Sequence, residues 1–269
     1  MTTATAMILA AGRGERMRPL TDTCPKPLLH VRGKALIDWH VEALALGGNT
    51  HLVVNTAWLG EQLPEHFNRR FSSQNSLLSR RLLPEQLSFS YSHEGVDFGD
   101  ALETAGGIAR ALPLLSEVFW VLAGDVFMPG FRFDLTAVDA FARNGKLAHL
   151  WLVANPPHNP GGDFGLSDDG LALNVPAASD QPRFTFSTVA LYRREFFSAL
   201  PHLPAGNPQG LKVPLAPLLR AAMDNHRVSA ELYRGPWTDV GTPARLFELN
   251  QFPSSSPTTP QASTQSEAP

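Results

Sequence analysis

Apolar and amphipathic segments alternate along the first 155 residues of the chain. Short apolar runs bounded by glycine or polar residues are typical of buried strands, whereas apolar positions three and four apart predict helices. The predicted strands are Ala6–Ala11, Leu52–Val54, Leu87–Tyr91, Val118–Ala123 and Leu147–Ala154. The predicted helices are Ala35–Leu46, Trp58–Phe71, Thr104–Leu115 and residues 134–144. Residues 13–34 and 72–86 are mainly polar, and we expect long loops there.

This alternation predicts an α/β fold with a doubly wound, mainly parallel sheet of Rossmann-like type. The chain is less regular after residue 155. The elements predicted there are the strands Asp163–Leu173, Phe184–Tyr192, Val228–Leu232 and Trp237–Val240 and the helices Leu215–His226 and Arg245–Asn250. We expect a single domain over residues 1–252. Residues 253–269 contain no apolar residue besides two alanines, so we expect a disordered tail.

Composition excludes several classes of protein. The chain has 269 residues, a net charge of -3 and 43% hydrophobic residues, which suits a globular protein without general affinity for nucleic acid or anionic membranes. The single cysteine, Cys24, excludes an internal disulfide framework and a cysteine-based zinc site. No apolar run is long enough to span a membrane, and the first residues lack the basic region of a signal peptide. We therefore expect a cytoplasmic protein.

The stretch from Met7 to Leu28 combines an apolar strand with glycines and basic residues. A dinucleotide fingerprint would need a third glycine where Met17 stands, and the Gly-Lys-Ser/Thr of a P-loop is absent. Glycines let backbone N–H groups approach an anion, and guanidinium groups bind phosphate oxygens in pairs. The sequence thus predicts a phosphate-binding loop or, alternatively, a solvated basic loop; its basic residues are Arg13, Arg16, Arg18 and Lys26.

Several longer motifs carry a resemblance to a known family. They are GRGERMRPLT at 12–21, PKPL at 25–28, LETAGG at 102–107, GD at 124–125 and WTDVGT at 237–242. Together they resemble the signature of the sugar-phosphate nucleotidyltransferases, over residues 6 to about 252. The resemblance implies a sheet of the nucleotidyltransferase type with a smaller sugar-binding β elaboration. It also implies a nucleotide-binding half over about 1–155 and a sugar-binding half over about 156–252.

The reaction implied is attack of a sugar 1-phosphate oxygen on the α-phosphorus of a nucleoside triphosphate, with pyrophosphate leaving. Because both reactants are polyanions, catalysis should depend on charge neutralisation and in-line positioning. By resemblance, Arg16 and Lys26 contact the phosphates, and Asp125 and Asp239 hold Mg²⁺. An aspartate at a strand end can also be a simple turn cap, but both positions match the family's metal ligands.

The resemblance also implies the remaining contacts. Backbone groups of Ala10, Ala11 and Gly12 should meet the base and ribose. The other residues assigned to the nucleotide are Arg13, Gly14, Glu103, Thr104 and Gly107. The residues assigned to the sugar are Phe164, Gly165, Ser187, Lys212 and Trp237. Two positions depart from the family pattern, since Thr188 replaces a usual glycine and Gly165 a usual larger residue.

Within the family, the resemblance is greatest to members that transfer uridylyl from UTP to N-acetylmuramic acid α-1-phosphate in cell-wall recycling. Transfer of guanylyl to mannose 1-phosphate, or of a nucleotide to another hexose 1-phosphate, is an alternative. A non-catalytic, nucleotide-binding regulatory subunit is an alternative of another class. Such subunits usually lose the functional cations or carboxylates, whereas Arg16, Lys26, Asp125 and Asp239 are all present. The expected partners are a nucleoside triphosphate and a sugar 1-phosphate, with neither nucleic acid nor membrane.

Overall fold

The computed structural model describes residues 4–71, 87–198 and 202–251. Within these residues the strands are β1 (Thr5–Leu9), β2 (His30–Val31), β3 (Lys34–Ala35), β4 (His51–Thr56), β5 (Ser88–His93), β6 (Val118–Ala123), β7 (Val126–Phe127), β8 (Ala148–Val153), β9 (Gly165–Leu166), β10 (Ala172–Leu173), β11 (Thr185–Arg193), β12 (Val228–Leu232) and β13 (Thr238–Asp239). The helices are α1 (Leu36–Leu46), α2 (Gln62–Phe71), α3 (Glu94–Phe98), α4 (Glu103–Ala111), α5 (Leu135–Arg143), α6 (Glu195–Ser198), α7 (Leu215–Asp224) and α8 (Pro243–Gln251). The loop expected at 72–86 and the tail expected at 253–269 lie outside the described residues.

A seven-stranded sheet runs through the molecule in the order β12-β8-β11-β6-β1-β4-β5. Adjacent strands of this sheet pair in parallel except at β11, which is antiparallel to both β6 and β8. The prediction of a doubly wound, mainly parallel sheet is therefore confirmed. Strands from before and after residue 155 belong to this one sheet, so the division into two halves stays a prediction.

Helices bury both faces of the sheet. Because successive side chains of a strand point to opposite faces, Met7 lies in one apolar layer and Ile8 in the other. The layer of Met7 contains Ile108 of α4 and Leu219 of α7, while the layer of Ile8 contains Val41 of α1. Burial on both faces explains why these strands are apolar runs rather than alternating ones. No helix among the described residues is long and apolar enough to cross a membrane.

The structure corrects two predicted elements. The predicted strand Asp163–Leu173 is wrong, because β9 and β10 form a short antiparallel hairpin there. The turn between them ends at Gly170, whose φ is 81°, and the Ser167 hydroxyl accepts the N–H of Leu171 at 2.8 Å. The helix predicted to reach Leu115 ends at Ala111, and a 3₁₀ turn with proline near its start follows.

The polar segment at 13–34 is more ordered than a plain loop. It contains three 3₁₀ turns, Glu15–Met17, Leu20–Asp22 and Lys26–Leu28, and the small hairpin β2–β3. Prolines lie at or next to the starts of the second and third turns, where their missing N–H leaves no donor unsatisfied. This fold returns the chain from the end of β1 to the start of α1.

Candidate active site

An open cleft lies where β1, β4 and β6 end. The parallel register places Leu9 beside Asn55 on one side and Ala123 on the other, so the residues that follow these strands share one space. The cavity volume is about 530 Å³, within the range of roughly 300–1,000 Å³ typical of small-molecule sites. Ten residues with an assigned role line it: Ala10, Ala11, Gly12, Gly14, Arg16, Lys26, Glu103, Thr104, Asp125 and Lys212.

The glycine-bearing loop forms one wall of this cleft. Gly14 has a φ of 68°, and a Cβ there would lie 3.0 Å from Cγ2 of Thr21. The carbonyl of Gly14 accepts both the Met17 N–H and the Thr21 hydroxyl, which closes the loop. Gly12, by contrast, faces open space. Arg16 lies exposed on the same wall and makes no ion pair with any residue that the structure describes.

Lys26 is the buried cation of the cleft. The residue is 8% exposed, and its aliphatic carbons pack under Gly14. Its ammonium donates to Oδ2 of Asp125 at 2.5 Å. A lysine this buried needs a counter-charge, and the aspartate supplies it. The cleft therefore holds an ammonium group in position before any ligand is bound.

Asp239 lies in β13, and Asp125 directly precedes β7, the strand that pairs with β13. β7 pairs with β13 so that Asp239 faces Val126, and the Val240 N–H donates to the Asp125 carbonyl at 2.9 Å. The Asp239 carboxylate also contacts the Arg245 guanidinium and, at 2.8 Å, Nε2 of His158. The topology thus brings the backbones of these two aspartates together although they are more than a hundred residues apart in the chain.

His40 is a buried side chain that contacts β7 of the β7–β13 pair. It is completely enclosed, and its Nε2 lies 2.8 Å from the Val126 carbonyl. Because a carbonyl only accepts hydrogen bonds, Nε2 must carry the hydrogen and donate. Burial disfavours the charged imidazolium and lowers the pKa of His40 from 6.5 to about 4.

We expect His40 to make the protein acid-sensitive. Its folded-state pKa lies below the unfolded value, so the unfolded chain takes up the proton first and stability is lost as pH falls from 6.5 towards about 4. The shift corresponds to roughly 3 kcal/mol of unfolding free energy. The expected result is a steeper loss of stability below pH 6.5 for the wild type than for His40→Gln, whose amide keeps a donor, as measured by urea unfolding. Equal losses in the two proteins would contradict this assignment.

Sequence reasoning missed a buried polar network at the back of the cleft. Asn55 accepts the Ala10 N–H at 2.7 Å and donates to Oε1 of Glu94 at 2.7 Å, while Oε2 of Glu94 accepts the Leu102 N–H at 2.8 Å. Glu94 is fully buried, and this burial raises the pKa of its carboxyl although both hydrogen bonds oppose the change. A signal was available for Asn55, which directly follows the predicted strand Leu52–Val54.

Gly107 contributes to this network by lacking a side chain. A Cβ at Gly107 would lie 2.5 Å from Oε1 of Glu94 and 3.1 Å from Nδ2 of Asn55. The residue lies in α4 and is not among those lining the cleft. The structure therefore gives Gly107 a packing role beside Asn55 and Glu94, and its assignment to the nucleotide stays a prediction.

An ion pair crosses the mouth of the cleft. Lys212 Nζ lies 2.5 Å from Oδ2 of Asp100, and both side chains are more than half exposed. The hydrogen bond from Lys212 lowers the pKa of Asp100. Because exposed pairs contribute little to stability, the Lys212 ammonium can leave Asp100 at little cost.

A second recess opens from the cleft towards α7. Its cavity volume is about 420 Å³, and it shares Leu9, Glu103, Thr104 and Ala123 with the first. Phe164, assigned to the sugar by sequence, lines this recess. The cleft and the recess are therefore joined through the residues that line both of them.

Several other assigned residues, Asp239 among them, line neither space. Arg13 lies 3.3 Å above the ring of Trp58 and donates to the Thr21 carbonyl. Ser187 is buried and donates to the Trp151 carbonyl, and its own carbonyl accepts the indole N–H of Trp237. A Cβ at Gly165 would lie 2.5 Å from Val175. These contacts are structural ones, and ligand roles for these residues stay predictions.

The chain belongs to the nucleotidyl transferase family, whose model matches residues 5–256. It is 45% identical over 249 residues to the N-acetylmuramate alpha-1-phosphate uridylyltransferase of Neisseria meningitidis serogroup B, covering 90% of this chain and 95% of that one. The protein of the same name from Caulobacter vibrioides is 32% identical over 244 residues, covering 88% and 92%.

A solved structure shares the fold. It is a UTP-bound UGPase from Acinetobacter baumannii, with a TM-score of 0.71 over 93% of each chain and 16% identity. At that identity the likeness concerns the fold alone. The family resemblance inferred from the motifs is confirmed by the family match and by the two relatives.

Proposed function

We propose that this chain transfers a uridylyl group from UTP to N-acetylmuramic acid α-1-phosphate, giving the UDP-sugar and pyrophosphate. The observation that carries this proposal is the 45% identity, over nearly the full length of both chains, to the Neisseria uridylyltransferase. The retained cations and carboxylates of the cleft support catalysis over a regulatory role. In the reaction, a phosphate oxygen of the sugar bonds to the α-phosphorus of UTP as the bond to the β-phosphate oxygen breaks.

The residues of the cleft take distinct parts in this reaction. Arg16, exposed and without an ion pair among the described residues, meets the β- and γ-phosphates. Lys26, fixed under Gly14, neutralises charge at the α-phosphate as the oxygen attacks. Lys212 exchanges Asp100 for a phosphate at the mouth of the cleft. Lys26 is thus in place before the polyanions arrive, so it needs little reorganisation during the reaction.

Asp125 and Asp239 fit a magnesium site. Mg²⁺ prefers one or two carboxylates and fills its other positions with phosphate oxygens and water. Within residues 4–71, 87–198 and 202–251, no group of three or more histidine, cysteine or acidic side chains could enclose a metal. The two carboxylates, beside the paired strands β7 and β13, suit an ion whose other ligands come from the substrate. When bound, Mg²⁺ would neutralise phosphate charge.

The base and ribose lie against the wall formed by the backbone from Ala10 to Gly12 and by Glu103 and Thr104. Asn55 and Glu94 stiffen this wall, because they join the Ala10 and Leu102 backbone amides through one buried network. We place the whole reaction in cytoplasmic recycling of cell-wall sugars.

Pyrophosphate release by the purified protein tests this function. UTP and GTP are each combined with N-acetylmuramic acid α-1-phosphate, mannose 1-phosphate and glucose 1-phosphate in the presence of Mg²⁺. We expect the largest kcat/KM for UTP with the muramic acid derivative. Preference for GTP and mannose 1-phosphate would overturn the proposed substrates, and no release with any pair would overturn catalysis itself.

A further inference from the structure

The side chain of Arg13 packs on Trp58 and does not line the cleft. Both of its neighbours in the chain line the cleft, whereas Arg13 does not. Its guanidinium carbon lies 3.3 Å from the centre of the Trp58 ring, which makes a cation–π contact. The same guanidinium lies 3.4 Å from the carboxylate of Glu15 and 3.6 Å from that of Asp22. The charge of Arg13 is therefore balanced within the protein and needs no phosphate to compensate it.

The backbone carbonyl of Thr21 connects Trp58 to the glycine-bearing loop. It accepts the indole N–H of Trp58 at 2.9 Å and Nη1 of Arg13 at 3.1 Å. The Thr21 hydroxyl donates to the Gly14 carbonyl at 2.9 Å, and a Cβ at Gly14 would lie 3.3 Å from Cβ of Lys26. A continuous series of contacts thus runs from Trp58 to the buried lysine of the cleft.

Trp58 belongs to the segment between β4 and α2, which supports two walls of the cleft. At the end of β4, Asn55 accepts the Ala10 N–H at 2.7 Å. At the start of α2, the Gln62 side chain donates to the Thr23 carbonyl at 3.1 Å. The same segment therefore contacts the backbone that follows β1 and, through Trp58 and Gln62, the far end of the glycine-bearing loop.

We infer that Arg13 and Trp58 are positioning residues, which hold the glycine-bearing loop so that Arg16 and Lys26 stay where they meet the phosphates of a nucleoside triphosphate. The inference rests on the proposed function, which assigns the phosphates to Arg16 and Lys26. Arg13 then acts through the loop and contacts no ligand. Such positioning matters because a displacement of about 1 Å can cost up to roughly 100-fold in rate.

A double-mutant cycle tests this arrangement. Arg13→Met, Trp58→Leu and the double variant are compared with the wild type by calorimetric binding of UTP and of UMP, with Mg²⁺ and without a sugar phosphate. We expect each single variant to weaken UTP binding by about tenfold, and the double variant to lose no more than about tenfold, because both changes break the same contact. Binding of UMP, which lacks the β- and γ-phosphates, should weaken by less than about threefold in every variant.

Two further variants serve as controls. Trp39→Leu removes a matching pair of contacts outside the cleft, since Lys34 lies 3.7 Å from the centre of the Trp39 ring and the indole N–H donates to the Val31 carbonyl at 3.2 Å. It should keep its affinity for UTP even where the midpoint of thermal unfolding falls. Trp58→Phe keeps an aromatic ring beneath the guanidinium and should bind UTP within about threefold of the wild type.

Three outcomes would overturn the inference. Additive losses, about 100-fold in the double variant, would mean that Arg13 binds the phosphates independently of Trp58. Unchanged UTP binding in the single variants, or equal weakening of UTP and UMP, would mean that the contact does not position the phosphate-binding groups. A loss of UTP affinity in Trp39→Leu equal to that in Trp58→Leu would assign the effect to general destabilisation. Absence of pyrophosphate release by the wild type would instead overturn the proposed function, and the binding cycle would still be measurable.

Discussion

Replacing Lys26 with methionine should lower kcat/KM for nucleotidyl transfer by about 100- to 1,000-fold, the usual cost of losing one preorganised charge-stabilising donor. The ammonium is 2.5 Å from Asp125 and fixed by packing under Gly14, so it is held in the cleft before the phosphates bind. Methionine preserves the length and the apolar stem of the side chain. The measurement is steady-state pyrophosphate release together with thermal unfolding of the same preparation.

Lys34→Met provides the matched control. Lys34 also forms an ion pair, with Glu42 at 2.6 Å, but it lies in the β2–β3 hairpin and does not line the cleft. We expect this control to keep its turnover although it also loses an ion pair. If Lys26→Met retained kcat/KM within about fivefold of the wild type, far less than a charge-stabilising donor contributes, Lys26 would not contact the reacting phosphates.

The strands at the centre of the sheet were the most predictable part of the fold. Val118–Ala123 has the predicted bounds because parallel strands covered on both faces must be continuous apolar runs. The antiparallel direction of β11 was not predictable in this way, since its residues alternate no differently from those of a parallel strand. Its place between β6 and β8 depends on long-range pairing that local sequence does not encode.

The cleft was predictable where function imposed motifs, and less so elsewhere. Gly14, Arg16 and Lys26 stand close together in sequence, and the structure places them on one wall. Glu94 escaped prediction because its interest arises from complete burial beside Asn55, which only the packed structure reveals. Arg13 shows the converse, since it is a basic residue inside the motif whose guanidinium stacks on Trp58, and its nucleotide role stays a prediction.

Thr188 shows how a departure from a motif gains meaning from geometry. In the sequence it is only a threonine where the family usually has glycine. The structure adds a φ of 70°, a break in strand pairing and an unpartnered hydroxyl. The departure is therefore a substitution at a position whose backbone conformation favours glycine, which the sequence alone could not show.

Asp125→Asn should have two opposite effects. Loss of one carboxylate should lower turnover at saturating Mg²⁺ by about 100-fold or more. It should also raise the Mg²⁺ concentration needed for half-maximal activity, because an amide is a far poorer ligand for a hard cation than a carboxylate. The same change removes the charge that pairs with Lys26. In the presence of a chelator, UTP should therefore bind more tightly to this variant than to the wild type, by roughly threefold to tenfold.

Asp239→Asn is the comparison that separates the two effects. Asp239 pairs with Arg245 and His158 instead of Lys26, and neither of those partners lines the cleft. Both variants should need more Mg²⁺ for turnover, but only Asp125→Asn should strengthen metal-free UTP binding in calorimetry. Unchanged Mg²⁺ dependence in both variants would contradict the assignment of Asp125 and Asp239 as magnesium ligands. Unchanged metal-free affinity in Asp125→Asn would show that the phosphates do not compete with Asp125 for the Lys26 ammonium.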